Sequence, residues 1–166
     1  MNITKFKANV AANPFLDATR YTVFIGGPAG WLTEEISLNC SSVDLPGRGF
    51  STVEQYHHGP IRKVPYAELY TDVTTEFYAT DSLEERKFFN DWQLLIAGED
   101  YYFSFYKDFV GSVQINTQNK MDQTINKIEL IEAWPMEISQ IQLGYTQEGL
   151  VPVFSVVWAY HHWENK

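Results

Sequence analysis

Two adjacent histidine pairs, His57-His58 and His161-His162, the carboxylates Asp72 and Glu76, and the one cysteine, Cys40, are the side chains from which reactive chemistry would have to be built. Imidazole and thiolate point to a transition metal, yet neighbouring residues on a strand face opposite ways, so neither pair chelates on regular backbone. No Cys/His spacing resembles a zinc site. Asp72 and Glu76 share a strand face, but strand residues at i and i+4 lie ~13 Å apart, beyond the separation of a glycosidase acid/base pair. A solvated acidic face accounts for them better. The sequence contains no GxSxG, no glycine-rich phosphate loop and no Cys/His nucleophile signature, and Cys40 falls on the apolar side of its segment, as a core residue does. The expectation is therefore no catalysis, no cofactor and no metal, which leaves packing and assembly as the chemistry to explain.

The elements that would position these residues form one domain. A chain of 166 residues buries roughly 70% of its unfolded surface in a single core. A lone cysteine closes no intrachain disulfide, so stability rests on packing, and aromatics at 16% against 20% charged residues supply the apolar material. With 21 Asp+Glu against 12 Lys+Arg the net charge is -9, which argues against binding nucleic-acid phosphates, a task for clustered Lys and Arg. The N-terminus carries two early lysines without an apolar run behind them, and no segment reaches the ~18 apolar residues of a membrane helix. The expectation is a soluble protein made in a cytoplasm.

Period-two alternation runs through most of the chain. "RYTVFIGG" reads as a short strand ending in a turn. "EEISLNCSS" alternates with Ile36, Leu38 and Cys40 on one face and Glu35, Ser37, Asn39 and Ser41 on the other. "TDVTTEFYA" places Val73, Thr75 and Phe77 on one side and Asp72, Thr74 and Glu76 on the opposite one. "LVPVFSVVWAYHHWE" is long, β-branched and aromatic, as expected of a central strand. One segment reads as a helix, "DSLEERKFFNDWQLLIAG", about residues 82–97, with Asp81 or Ser82 as cap, Glu84 or Glu85 completing a capping box, and Gly98 as the stop. Prolines and glycines in 46–67 predict an extended excursion or long hairpin, and the arm 1–17 has too little apolar content to order itself. In "KIELIEAWPMEISQIQLGY" a strand-like run is interrupted at Trp134-Pro135 and then resumes.

Five blocks occur in order: "CSSVDLPG" (Cys40 to Gly47), "IRKV" (Ile61 to Val64), "KFFNDWQLLIAG" (Lys87 to Gly98), "IELIEAWPMEISQIQLGY" (Ile128 to Tyr145) and "FSVVWAYHHWE" (Phe154 to Glu164). Together they resemble the tail tube protein of contractile-tailed bacteriophages, a family shared with the inner tubes of related contractile injection devices. The resemblance implies a mainly β fold of two packed antiparallel sheets in a small barrel-like sandwich with one flanking helix. It implies a single domain, 1–166, with a mobile N-terminal arm and the 46–67 hairpin as extensions. Trp134-Pro135 would fall where the chain leaves one strand and turns a corner, Trp134 plugging it while Ile138, Ile141 and Leu143 run on. Trp92, Trp134, Pro135, Phe154 and Trp158 would be structural core.

The function implied by that resemblance is structural. Hexameric rings, sheets joined edge to edge around a channel, would stack into a rigid tube inside the contractile sheath, and DNA would pass without specific binding. Glu54, Tyr56, His57, His58, Gly59, Pro60, Ile61, Arg62 and Lys63, with the N-terminal arm, would make contacts between subunits and rings. The polar sets Glu35, Ser37, Asn39, Ser41 and Asp72, Thr74, Glu76 are candidates for the bore or an outer face. Implied partners are the subunit itself, the sheath protein, a baseplate tube-initiator, a tail terminator and a tape measure protein in the lumen, within a virion tail assembled in the host cytoplasm and without stable membrane insertion. Alternatives are an inner-tube or tube-initiator subunit of a related injection system, and a carbohydrate-binding β-sandwich.

Overall fold

The computed structural model describes every residue except 1, 13–14, 29–30, 32–33, 57–58, 99–101 and 146–148. In chain order the elements are α1 (Ile3–Ala12), β1 (Tyr21–Gly26), α2 (Glu34–Leu38), β2 (Cys40–Val43), β3 (Arg48–Gln55), β4 (Arg62–Tyr70), β5 (Val73–Tyr78), α3 (Glu84–Ile96), α4 (Tyr106–Phe109), β6 (Gly111–Gln118), β7 (Thr124–Ile138), β8 (Val153–Ala159) and β9 (His162–Asn165). Among the described residues the strand pairings are all antiparallel. One path runs β1-β6-β7-β8-β5-β2, with β9 also paired to β7, while β3 and β4 form a separate two-stranded sheet. The mainly β class and the antiparallel sheets match expectation. The sandwich does not close into a barrel: among the described residues β1 and β2, the ends of the path, are open edges.

Strand β7 joins the two sheets. Its first part pairs with β6 and β9, and its last residues, Trp134 to Ile138, pair with β8. The strand is not broken at Trp134-Pro135. The corner lies earlier, at Glu132, where Gly111 faces Ala133 and Ser112 faces Ile131, leaving Glu132 as an extra residue at φ 56. An extra residue bends a strand and re-aims the residues beyond it. Beyond Ala133 the β6 partner has ended, so Pro135 sits on a stretch with β8 on one flank only, where its missing N–H costs no ladder bond. Pro135 is buried while Trp134 is half-buried, with its ring edge-on to Phe109 at 5.9 Å. Past Ile138 the strand stops, and Leu143 is exposed instead of continuing it.

The single long strand expected near the C-terminus is two. β8 lies between β5 and β7, central as predicted, and Tyr160 and His161 then carry the chain back to pair β9 with the first part of β7. The core gathers inward-facing residues of both sheets: Val23, Ile25, Val113, Ile115, Ile128 and Leu130 with Val73, Phe77, Phe154, Val156 and Trp158. Helix α3 lays Phe89 and Trp92 into it, where Phe89 meets Phe77 at 5.1 Å and Trp92 meets Trp158 at 5.6 Å between ring centroids.

Three helical segments besides α3 depart from the sequence expectation. The N-terminal arm folds as α1, largely exposed, and Tyr106–Phe109 make the single turn α4. Glu34–Leu38, expected to begin a strand, is α2, and only Cys40–Val43 is strand. Leu38 is consequently 84% exposed instead of facing inward. Over so few residues alternation fits a helix nearly as well, since Ile36 and Cys40 also share a helical face. At α3 the cap differs too. Leu83, at φ 51, is the N-cap without a side-chain bond, and Thr80, not Asp81 or Ser82, donates its hydroxyl to Glu85 at 2.8 Å.

Candidate assembly surfaces

The expected excursion at 46–67 is a hairpin of two strands, β3 and β4, with eight residue pairs from Arg48↔Tyr70 to Gln55↔Arg62 and a bulge between Ser51 and Thr52. Most of its side chains are exposed, among them Phe50, Val53, Tyr56, Ile61, Tyr66 and Leu69. One face is ordered by a local cluster. Glu68 accepts a hydrogen bond from Tyr70 Oη at 2.6 Å and pairs with Arg48, whose guanidinium also lies 5.6 Å over the Phe50 ring. The Tyr70 hydroxyl and Arg48 together hold the Glu68 carboxyl below its usual range. Near the tip Glu54 faces Lys63 and Gln55 faces Arg62, and Gly59 turns the chain at φ 140. Tyr56, Pro60 and Ile61 complete the described tip, while His57 and His58 lie outside the described residues.

At its root the hairpin is tied to the sandwich. Gly47 donates its N–H to Thr71 Oγ1 at 3.3 Å, Tyr160 donates its hydroxyl to Thr71 O at 2.6 Å, and the Tyr70 and Tyr160 rings meet edge-on at 6.2 Å. Burial pushes the Tyr160 phenol up to about 12, with Asp72 and Tyr70 adding to the effect.

The two polar sets fare differently. On β5, Val73, Thr75 and Phe77 are buried, Glu76 is exposed and Thr74 half-exposed, as the alternation predicts, with Asp72 just before the strand. Ser42 donates to Glu76 Oε2 at 2.8 Å across the β2–β5 pair. The other set does not share a strand face. Glu35 and Ser37 belong to α2, with Ser37 Oγ accepting the Ile25 N–H of β1 at 3.4 Å. Asn39, in the turn, donates to the buried Glu85 at 2.6 Å. Ser41 sits in the β2 bulge with its Oγ enclosed and lacking a hydrogen-bond partner among the described residues. Strand structure begins only after the helix ends, at Cys40.

Sequence reading missed the seam between the open edges β1 and β2. One cavity of about 540 Å³ is lined by Tyr21, Val23, Phe24, Leu38 and Cys40. A second, of about 260 Å³, is lined by Leu16, Tyr21, Val43, Leu45 and Ile115. Tyr21 spans the seam by donating to Cys40 O at 3.3 Å. Burial pushes the Cys40 thiol up to about 12, which suits a packing residue and not a nucleophile. A second missed surface is aromatic: Tyr102, Phe103 and Phe105 project outward while Ser104 is pinned to α3 by Oγ donation to Leu95 O at 2.6 Å. Its only sequence signal was an aromatic run that fits neither helix nor strand.

His161 and His162 assemble no metal site among the described residues. The His161 and His162 rings meet edge-on at 5.0 Å, His162 lies 3.3 Å from Glu164, and no group of three or more potential ligands gathers among the described residues. Among the described residues no helix is long and apolar enough to cross a membrane. Open edges, a two-stranded hairpin and a seam are the surfaces that the described residues present.

A family model for phage tail tube proteins matches residues 1–166. The chain belongs to the phage tail tube protein family. No curated protein sequence matches it. Among solved structures, the tail tube fold is shared with a chain of the extended sheath–tube complex of the PVC extracellular contractile injection system, at TM-score 0.67 and 14% identity over 96% of both chains. It is shared also with a chain of the terminating cap of the anti-feeding prophage tube, at TM-score 0.69 and 12% identity over 92% of this chain and 91% of that one. A crystal structure of Hcp protein matches at TM-score 0.52 and 7% identity, over 88% and 91%. As a family member this chain is a structural tube subunit and a component of a tail.

Proposed function

We propose that this tail tube subunit assembles into hexameric rings that stack into a hollow tube, with a payload moving through the bore. The observation that carries the reading is the set of open strand edges. β1 and β2 end the sheet path open, and β3-β4 stand alone with both faces exposed, whereas closing sheets between copies removes such edges. In this reading the hairpin residues Glu54 to Lys63 and the N-terminal segment contact neighbouring subunits and rings. Thr74 and Glu76 are candidates for the bore, with Asp72 at its rim. Glu35, on α2, is withdrawn from any strand face.

Contractile-tail chemistry supplies the proposed partners: a sheath around the tube, a baseplate initiator, a terminator and a tape measure in the lumen, with DNA passing without specific binding. Relatives of this fold occur in sheath–tube, baseplate and cap structures. Because those belong to injection systems, a second reading, an injection-system tube carrying protein, shares the architecture and differs in cargo.

Negative-stain microscopy of the concentrated protein tests the assembly. Rings or tubes of uniform width are expected, and a monodisperse monomer at every concentration, together with glycan binding, would establish the carbohydrate-binding sandwich instead.

A further inference from the structure

The two ends of the β3-β4 hairpin carry opposite net charge: Glu54 stands across from Lys63, and Arg62, across from Gln55, leaves the tip net positive. At the tip, Arg62 and Lys63 are exposed and have no ion-pair partner among the described residues, and Ile61 beside them is exposed. At the root, Asp44 and Asp72 are exposed and equally without an ion-pair partner among those residues, flanking the chain as it enters and leaves the hairpin. Asp44 donates its backbone N–H to Thr74 O at 2.9 Å, which sets it beside the strand that follows Asp72. Between the root and β1 opens the cavity of about 260 Å³ bordered by Leu45, Val43 and Leu16. Tip and root therefore match in two independent ways, cation to anion and exposed apolar side chain to apolar cavity.

The hairpin cannot satisfy itself. At eight residues a strand spans roughly 26 Å, so tip and root of one copy are too far apart to meet. A lone two-stranded sheet is also marginal in water.

We propose that the hairpin tip of one copy seats at the hairpin root of a second copy, Ile61 entering the Leu45 cavity while Arg62 and Lys63 face Asp44 and Asp72. The contact joins different surfaces of identical chains, so it is heterologous, and repetition generates a ring or a filament. It rests on the tube reading and adds the partner surface and its chemistry.

Charge exchange tests it. Arg62→Glu with Lys63→Glu raises the protein concentration needed for assembly by about tenfold or more, because like charges then face each other across the contact. Adding Asp44→Lys and Asp72→Lys to the same chain restores assembly, and all three proteins keep the same thermal transition. Separately, Leu45→Asp suppresses assembly without rescue by the charge exchange. Unchanged assembly of the double reversal overturns the proposal, as does failure of the quadruple variant to recover. The wild-type protein, scored in the same micrographs, distinguishes those failures from a failure of the tube reading, which falls only if the wild type forms neither rings nor tubes.

Discussion

Thr75 is polar and wholly enclosed, and its hydroxyl makes that burial tolerable. Oγ1 accepts the indole N–H of Trp158 at 2.8 Å and reaches Val156 O at 3.5 Å. Thr75→Val keeps the shape but leaves a buried indole donor unpaired, and we expect a loss of about 1–3 kcal/mol in urea unfolding. Glu85, 3% exposed, similarly collects Asn39 and Thr80, tying the turn before β2 to α3. Alkali reports on two further residues. Burial holds the Cys40 thiol and the Tyr160 phenol at about 12 in the folded chain, against about 9 and 10 for the free groups. Both bind their protons more tightly when folded, so the stability they contribute is present below pH 9 and is lost as pH rises from about 9 to 12, where the unfolded chain ionises first. Urea midpoints should fall over that range, and Cys40→Ala should remove the earlier part of the fall. A midpoint constant to pH 11 contradicts the assignment.

At the scale of elements, the corner of β7 depends on two backbones. Glu132 occupies a positive-φ position that side chains rarely adopt. Glu132→Gly should leave stability within about 1 kcal/mol of the parent or raise it, while the β-branched Glu132→Val should cost about 1–3 kcal/mol. Opposite it, a Cβ on Gly111 would lie 2.1 Å from Gly26 O and 2.9 Å from the Trp92 ring. Backbone cannot yield as a flexible side chain does, so Gly111→Ala should cost about 3 kcal/mol. Paired melting curves of the three variants check both statements. An intact Gly111→Ala melt would mean that β1 and β6 separate more easily than their six-residue pairing implies.

For the whole molecule, the sandwich and α3 hold the core, and the extensions lie outside it. Replacing Gly47 to Thr71 by a short turn, or deleting the residues before Asp17, should leave the thermal transition largely in place while suppressing tube formation. Outright unfolding of either truncated protein would show that the extension belongs to the core. If Thr74 and Glu76 line a bore, ring symmetry repeats the Glu76 carboxylate within a range comparable to the ~8 Å Debye length, and phosphates are repelled. Glu76→Lys in assembled tubes should then slow DNA ejection, with relief at high salt. Normal ejection from such tubes would remove that role from Glu76 and leave the fold and the family unchanged.

Strand faces on β5, the amphipathic stripe of α3 and the centrality of β8 were legible in the sequence because burial repeats with the period of the element itself. Val73, Phe77, Phe89, Trp92, Phe154 and Trp158 all lie in the core. The hairpin at 46–67 was marked by its prolines and glycines, and the family by blocks in order along the chain. Long-range choices were not legible. The segment Glu34–Leu38 became helix, and its Ser37 meets the β1 backbone at Ile25. Pro135 stayed within a strand since its free flank has no partner, a matter of where β6 ends. The seam beside β1 and the opposition of tip and root charges depend on which edges the sheets leave open, and pairing between distant strands, not local pattern, decides that.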